Sequence, residues 1–417
     1  MDRSTRPYIY AWATALLFYV LEYSTRSAPG VMIPQLEQAF SQNGVGLGSI
    51  LGSYYYTYSI TSLVAGLTLD RYGAKYVVPI GASILALGCL LFVIGNPETA
   101  YLARLLQGVG SAFAFTGAVY LATHGFSSNS LATAIGVTQS LGMLGGSGGQ
   151  FVVGPLMQAD YRWQAVWVFI GVAALAVAVI LVLITPREAK TVSAGTGESW
   201  FAPYRIVLSN PQSYLCGLVS GLLFAPTTIG AMTWGVAFFE ADRHLNYADA
   251  VWAASAVPLG WAFGCPLMGW AADRIGLRKP VLIAGTLLMA AAVVQLSFLP
   301  DLMPAALTLF IFGVASGVAM IPYSIIKEAN PDKVKGSATG AINFLVFGVT
   351  ALIGPIFASL FAKTLKAGDP VIHFQHASSF WLAAVIAACV MSLLLRETGS
   401  GRKSVAGKDT AQLRSAS

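Results

Sequence analysis

The sequence predicts an all-α membrane protein, with twelve transmembrane helices in two six-helix halves. Three observations carry that prediction. Hydrophobic residues make up 56% of the chain and charged residues only 10%, far from the roughly 25% charge of a soluble domain. About twelve apolar stretches reach the roughly 20 residues that a helix needs to cross a bilayer. A charged turn is also written twice: Gly66, Asp70, Arg71, Gly73 and Lys75 recur as Gly269, Asp273, Arg274, Gly276 and Arg278. The copies lie 203 residues apart, about half the chain, as expected of a duplicated unit.

The spans follow in order. The first, 8–34, comes after a polar start at Met1–Pro7 that lacks the short apolar core and cleavage site of a secretory signal. It carries Glu22 and Arg26, with Pro29 and Gly30 loosening the helix just beyond them. The second, 47–69, holds Tyr54, Tyr55, Tyr56 and Tyr58 and stops at the first charged turn. The third is 76–95; the fourth, 99–125, carries Arg104 and ends near His124. The fifth, 131–157, is dense in glycine, which lets helices approach closely. The sixth, 163–185, leads into a polar linker. In the second half, 211–239 contains Trp234, 250–271 contains Trp261 and ends at the second charged turn, 280–299 is uniformly apolar, 304–326 contains Tyr323, 336–362 contains Asn343, and 377–396 precedes a basic tail. Interior glycine and proline are tolerated where neighbouring helices satisfy the freed backbone groups. The expected division is thus 1–185, a linker at 186–210, a second half at 211–396, and a tail at 397–417. In the linker, Trp200, Phe201 and Tyr204 are either a headgroup anchor or chance aromatics of a loop.

Charge gives the orientation. With the N-terminus inside, 18 of the 24 Lys and Arg fall on the cytoplasmic side and only Arg162, Arg243, Lys363 and Lys366 outside, in keeping with the positive-inside bias. Both termini are then cytoplasmic, at a cell inner membrane. The net charge of +6 is spread over alternate loops, so it reads as topology, and no nucleic-acid partner is expected. The four cysteines fall in apolar runs without paired spacing, which gives no support to a disulfide or zinc site. No cofactor and no metal are expected. No His-Glu-x-x-His or phosphate-loop sequence occurs, and the one Gly-x-Ser-x-Gly run, Gly145 to Gly149, falls inside the glycine-dense fifth span instead of at a strand-to-helix turn, so neither an enzyme nor an ATP-driven pump is predicted.

At this point the residues resemble the major facilitator superfamily of secondary transporters over nearly the whole chain. The turns at Gly66–Lys75 and Gly269–Lys279 are similar to its loop motif between spans two and three and its repeat between eight and nine. Arg104, Gln107, Gly108 and Gly110 resemble its fourth-span signature, and Gly142 to Pro155 its fifth-span glycine-proline motif. The stretch Glu22 to Pro34 resembles a bacterial sugar-phosphate or organic-anion permease subgroup. Tyr23 and Arg26 are similar to a first-span motif of anion:cation symporters, in which Thr25 here stands at an aspartate position. The resemblance implies gating by Gly66, Asp70, Arg71, Gly73, Gly269, Asp273, Arg274 and Gly276. In that scheme Asp70 and Asp273 accept hydrogen bonds from the amides of a neighbouring helix and latch the outward-open state, with Arg71 and Arg274 at the interface.

Charges within the spans are the functional candidates, since each costs about 2.5–3.5 kcal/mol at a helix centre. Glu22 and Arg26 are four apart and share a helix face. Arg26 is expected to bind an anionic solute, with Glu22 as its proton-sensitive partner; the competing reading is a permanent ion pair that only sets packing. Arg104 divides evenly between packing and substrate contact, with a part in proton coupling implied by the resemblance, and His124 reads as a solvated interfacial group. Among the tyrosines, Tyr58 is the expected cavity member, while Tyr54 is assigned to an interfacial belt. Tyr23, Trp234, Tyr323 and Asn343 complete the expected substrate site, although core packing is the commoner fate of such aromatic side chains. The function expected is a monomeric, proton-coupled importer of a small organic anion working by alternating access. Its partners are a small-molecule substrate, the lipid bilayer and the proton. An exporter of amphipathic or siderophore-like compounds, and a membrane sensor without flux, are the alternatives.

Overall fold

The computed structural model describes residues 5–126, 128–187, 202–331, 334–361 and 369–399, and in these every regular element is helical. Most of the linker, with Trp200 and Phe201, and most of the basic tail lie outside the described residues, as does the side chain of Asp70. Twelve long helices trace the predicted spans: α1 (Arg6–Ser27), α2 (Gly44–Tyr72), α3 (Ala74–Phe92), α4 (Pro97–Gly125), α5 (Ser128–Phe151), α6 (Trp163–Ile184), α7 (Pro211–Ala225), α8 (Tyr247–Ile275), α9 (Lys279–Phe298), α10 (Ala305–Ser316), α11 (Lys335–Phe361) and α12 (Pro370–Leu394).

Nine helices among the described residues are long and apolar enough to cross a membrane. The spans missing from that set are α1, α2 and α5, which are 22, 29 and 24 residues long. Length is therefore not what they lack. Their ionic, tyrosine, glycine and hydroxyl content lowers their hydropathy, and it is these three helices that pack polar faces inward.

Four spans are interrupted, the fifth only at Val152, between α5 and a short helix at Val153–Gln158. After Ser27 the first span tightens into a 3₁₀ turn at Ala28–Val31 and resumes as a short helix at Ile33–Phe40, as Pro29 and Gly30 led one to expect. The seventh passes from α7 through a π-helical segment at Pro226–Ala231 into Gly235–Arg243. The tenth passes through a 3₁₀ segment at Gly317–Met320 into Ile321–Glu328. One boundary differs from the sequence reading: α12 begins at Pro370 instead of 377, because Asp369 caps it with a 2.9 Å bond from Val371 N and proline occupies the first turn.

Packing repeats with the duplication. Within the first half the principal contacts are α1 with α5, α2 with α4, α3 with α4, and α3 with α6. In the second half they are α7 with α11, α8 with α10, α9 with α10, and α9 with α12, the same list shifted by six helices. The halves meet chiefly through α2 against α11 and α5 against α8; each pair maps onto the other under that shift, as a parallel repeat requires. The glycines of α5 permit its close approach to α1: a Cβ at Gly145 would collide with the Val20 backbone, and one at Gly149 with Ser24 and Ser27.

Both duplicated turns lie on one face of the bundle, the turn face, and both end a helix on a glycine with positive φ. Gly73 has φ 72° and ψ 175°, a region essentially confined to glycine. Gly276 has φ 73° and ψ 10°, the left-handed region that asparagine also adopts. Gly73→Asn should therefore lower the thermal unfolding temperature of the protein in lipid nanodiscs by several degrees, for a cost of about 1–3 kcal/mol. Gly276→Asn should leave it nearly unchanged; equal effects at the two sites would contradict the difference in ψ.

Candidate functional site

The first half brings three buried charges together. Glu22, Arg26 and Arg104 are 0%, 2% and 2% exposed. One turn of α1 separates Glu22 from Arg26, so the carboxylate oxygen Oε1 accepts from Arg26 Nε at 2.6 Å, and Arg26 Nη2 closes the ion pair. Tyr54 on α2 joins them: its hydroxyl donates to the same Oε1 at 2.5 Å and accepts from Arg26 Nε at 3.0 Å. Arg104 on α4 donates Nη1 to Thr25 O at 3.1 Å and to Gln107 Oε1 at 2.6 Å, and Nη2 to Leu51 O at 3.2 Å. Its guanidinium also lies 4.7 Å from the centre of the Tyr54 ring, within cation–π range.

The pairing is incomplete. Glu22 Oε2, Arg26 Nη1 and Arg104 Nε are buried and make no hydrogen bond. Since arginine does not lose its proton in proteins, one carboxylate faces two guanidinium groups, an excess of one positive charge in a region of low polarity. A cavity of about 390 Å³ touches both arginines, together with Leu51, Tyr55, Thr233 and Trp234. A second, of about 270 Å³, lies among Tyr19, Tyr23, Tyr58, Gln139, Tyr323 and Asn343. Tyr23, Tyr58 and the added Phe347 place their rings 4.6, 4.5 and 4.9 Å from the Arg26 guanidinium carbon. A larger cavity of about 620 Å³ sits inside the second half and is lined by Phe238, Phe312, Phe357 and Trp381 without a charged group. Its size does not make it the site, because it offers nothing to orient a polar solute.

All the substrate residues expected from the sequence line one of the two central cavities. Tyr323 donates to Asn343 Oδ1 at 2.6 Å. Trp261 lines neither and packs on Phe224, with ring centres 4.4 Å apart. The belt assignment of Tyr54 is overturned: it is fully buried, and the exposed tyrosine is Tyr56, at 42%. Spacing held the signal, since Tyr54 and Tyr58 share a face of α2, and their rings stack at 5.8 Å. Gln139, Thr233 and Phe347 join the site without a sequence signal, since a single amide, hydroxyl or phenylalanine in an apolar run carries none, whereas Gln107 is marked by the fourth-span signature. Tyr204 is not a headgroup anchor either. It is buried, donating to Leu63 O at 2.8 Å, and a Cβ at Gly340 would lie 2.5 Å from its hydroxyl.

On the turn face, Asp273 accepts from Arg278 Nη1 within its own turn at 2.6 Å, and its side chain is 72% exposed. It therefore does not dock on a neighbouring helix as the latch requires. Arg278 Nη2 also donates to Glu328 at 2.8 Å. Arg71 and Arg274 are exposed, their guanidinium carbons 5.9 and 5.4 Å from the rings of Tyr72 and Trp270. Lys75 Nζ donates to Val182 O and Thr185 O at 2.8 and 2.7 Å, and Lys279 Nζ to Leu393 O at 2.8 Å, so a lysine closes the last carbonyls of the sixth span in each half. Glu397 caps the start of α9, accepting from Arg278 N at 2.7 Å and Lys279 N at 2.9 Å. Burial pushes its carboxyl up, but these amides and that of Gly399 outweigh burial and hold it below the usual carboxylate range.

Two outcomes follow from this geometry. Tyr54→Phe removes the hydroxyl shared by Glu22 and Arg26 and should destabilise the protein by about 1–3 kcal/mol, read as a lower unfolding temperature, whereas Tyr56→Phe should have no effect. Because the folded carboxyl of Glu397 is depressed, its contribution is complete above the ordinary carboxylate range and fades as pH falls through the lower folded value. Glu397→Gln should accordingly lower the unfolding temperature at pH 7, with the difference from the native protein shrinking below about pH 4.

A family model described as Major Facilitator Superfamily matches residues 15–355 and 227–416. The Membrane sensor protein UhpC of Salmonella typhimurium is 24% identical over 92% of this chain and 89% of its own length. The hexuronate transporter of Bacillus subtilis is 24% identical over 81% of this chain and 83% of its own. Among solved structures, a bacterial homolog of the human lysosomal transporter Spinster, in an inward-facing and occupied conformation, superposes with a TM-score of 0.76 at 16% identity, covering 95% of this chain and 97% of that one. The nucleoside transporter NupG superposes with a TM-score of 0.69 at 14% identity, covering 92% and 98%; at such identities the likeness is one of fold. With the family model spanning most of a twelve-helix, twice-written bundle, the chain is a multi-pass membrane protein belonging to the Major Facilitator Superfamily of transporters.

Proposed function

We propose that the protein imports a small organic anion together with a proton, alternating between orientations around the cavity that Arg26 and Arg104 share. The observation that carries this reading is the excess positive charge: two guanidinium groups that line one cavity, against the single carboxylate of Glu22. A substrate carboxylate supplies the missing countercharge and engages Arg26 Nη1 and Arg104 Nε, the donors left over. Glu22 and the substrate compete for Arg26. Protonating Glu22 releases the guanidinium to the substrate, so proton and anion bind together and leave together, which is symport.

The ends of the helices support alternating access. Opposite the turn face the halves touch: a Cβ at Gly48 would lie 2.7 Å from Ala358 and 3.2 Å from Trp234, one at Gly154 would lie 2.8 Å from Val251, and Tyr247 donates to Val31 O at 2.5 Å. On the turn face, Gly66, Gly136, Gly269 and Gly336 have no described atom within 4 Å of a would-be Cβ. With the basic loops cytoplasmic, in an inner membrane, this is an orientation closed outward and parted inward, and the disengaged Asp273 agrees with it. The twelve helices enclose the site within one chain, so a monomer suffices.

Uptake of labelled organic acids by proteoliposomes tests the proposal. An inwardly directed proton gradient should raise the rate several-fold, Arg26→Ala should abolish uptake, and Glu22→Gln should remove the response to the gradient. Uptake that ignores both substitutions sinks it. A second reading, ligand sensing without flux, draws on the likeness to the sensor UhpC; saturable binding with no uptake would favour that one.

A further inference from the structure

The central site has two chambers, and only one holds charge. Arg26 and Arg104 face the first. The second, about 270 Å³, is walled by Tyr19, Tyr23, Tyr58, Phe115, Phe224 and Phe347 and has no charged residue in its lining. Arg26 stands at the junction, since three of the rings against its guanidinium, those of Tyr23, Tyr58 and Phe347, also line the aromatic chamber. We infer that the substrate is a monovalent carboxylate carrying an aromatic ring, with the carboxylate on Arg26 and Arg104 and the ring among Tyr23, Tyr58 and Phe347. This deepens the anion reading and rests on it.

Three features converge on that class. The walls are π faces and edges that pack on one another: Tyr58 meets Phe347 edge-on with centres 4.4 Å apart, and Phe224 meets Phe347 edge-on at 5.3 Å, the arrangement a further aromatic ring joins favourably. Tyrosine hydroxyls and two amides supply the polar groups of this lining. Gln139 Oε1 already accepts from Tyr19 at 3.3 Å and Asn343 Oδ1 from Tyr323 at 2.6 Å, so their NH₂ groups are the amide donors left for a ligand. They can serve one acceptor opposite the carboxylate, such as a phenolic oxygen. A sugar ring, with hydroxyls on every side, would turn some of them toward the rings of Phe115, Phe224 and Phe347, which offer no partner. Charge sets the valence. The empty site with Glu22 ionised and the loaded site with Glu22 protonated and one monoanion bound carry the same excess of one positive charge, so both can reorient across the same barrier. A phosphate dianion breaks that equality.

Binding of 4-hydroxybenzoate, glucuronate, glucose 6-phosphate and the neutral 4-hydroxybenzamide to the full chain in nanodiscs, measured by isothermal titration, tests the inference. We expect 4-hydroxybenzoate to bind at least tenfold more tightly than glucuronate or glucose 6-phosphate, and Phe347→Leu to weaken it about tenfold. Glucuronate or glucose 6-phosphate binding as tightly as the ring acid overturns the inference and leaves the anion reading standing. So does unaltered 4-hydroxybenzoate affinity in a folded Phe347→Leu protein. If 4-hydroxybenzamide matches 4-hydroxybenzoate, the anion reading itself fails. Binding of none of the three acids overturns both.

Discussion

A carboxylate and two guanidinium groups packed into the middle of an apolar bundle impose a constraint on everything around them. Ions in such surroundings persist only where partners and further hydrogen bonds compensate for the water they give up. Here Tyr54 from α2 bridges Glu22 and Arg26 of α1, while the carbonyls of Thr25 and Leu51 and the amide of Gln107 receive Arg104 from α4. Three helices are thereby tied to one another by polar contacts as well as by packing. The lower hydropathy of α1 and α2 follows from the same requirement: a helix that must supply such partners cannot be uniformly apolar.

Duplication sets the frame and asymmetry gives it a purpose. The two halves share a contact plan, a glycine with positive φ at each turn, and a lysine that closes the sixth span. The ionic cluster has no counterpart across the repeat. The second half meets it instead with Trp234, Thr233, Tyr323, Asn343 and Phe347, side chains that shape and orient without charge. Such a division lets one half hold the ionic grip while the other moves against it, without tearing a salt bridge that spans the interface.

The fold was almost wholly legible in the sequence, because spans, turns and repeat are written in runs of residues. Hydropathy marked twelve segments, and the positions of Gly73 and Gly276 marked where two of them stop. The site was legible only where it is ionic. Glu22, Arg26 and Arg104 stand out in an apolar chain since few forces other than function or tight pairing keep them there. Tyr54 did not, because a tyrosine near a helix end fits the interfacial belt as well as a buried hub, and only the position of α1 against α2 distinguishes the two. Phe347 and Gln139 come from helices distant in sequence, and their convergence is a property of packing. The start of α12 was placed late for a smaller reason: Asp369 and Pro370 form a good helix beginning, but the histidines and polar residues that follow blur the apolar run.

Tyr204 belongs to the segment joining the halves, yet it is inserted between α2 and α11 at the level where those helices begin to part, against Leu63 and Gly340. Further toward the turn face, Gly66 and Gly336 have no described neighbour. Bringing the two helices together there would require this phenol to withdraw. Under the alternating-access proposal the tether is then also a wedge, and the ease with which it slides out contributes to the balance between the two orientations. Alterations along it would register as changes in turnover with affinity preserved, far from any residue that touches the solute.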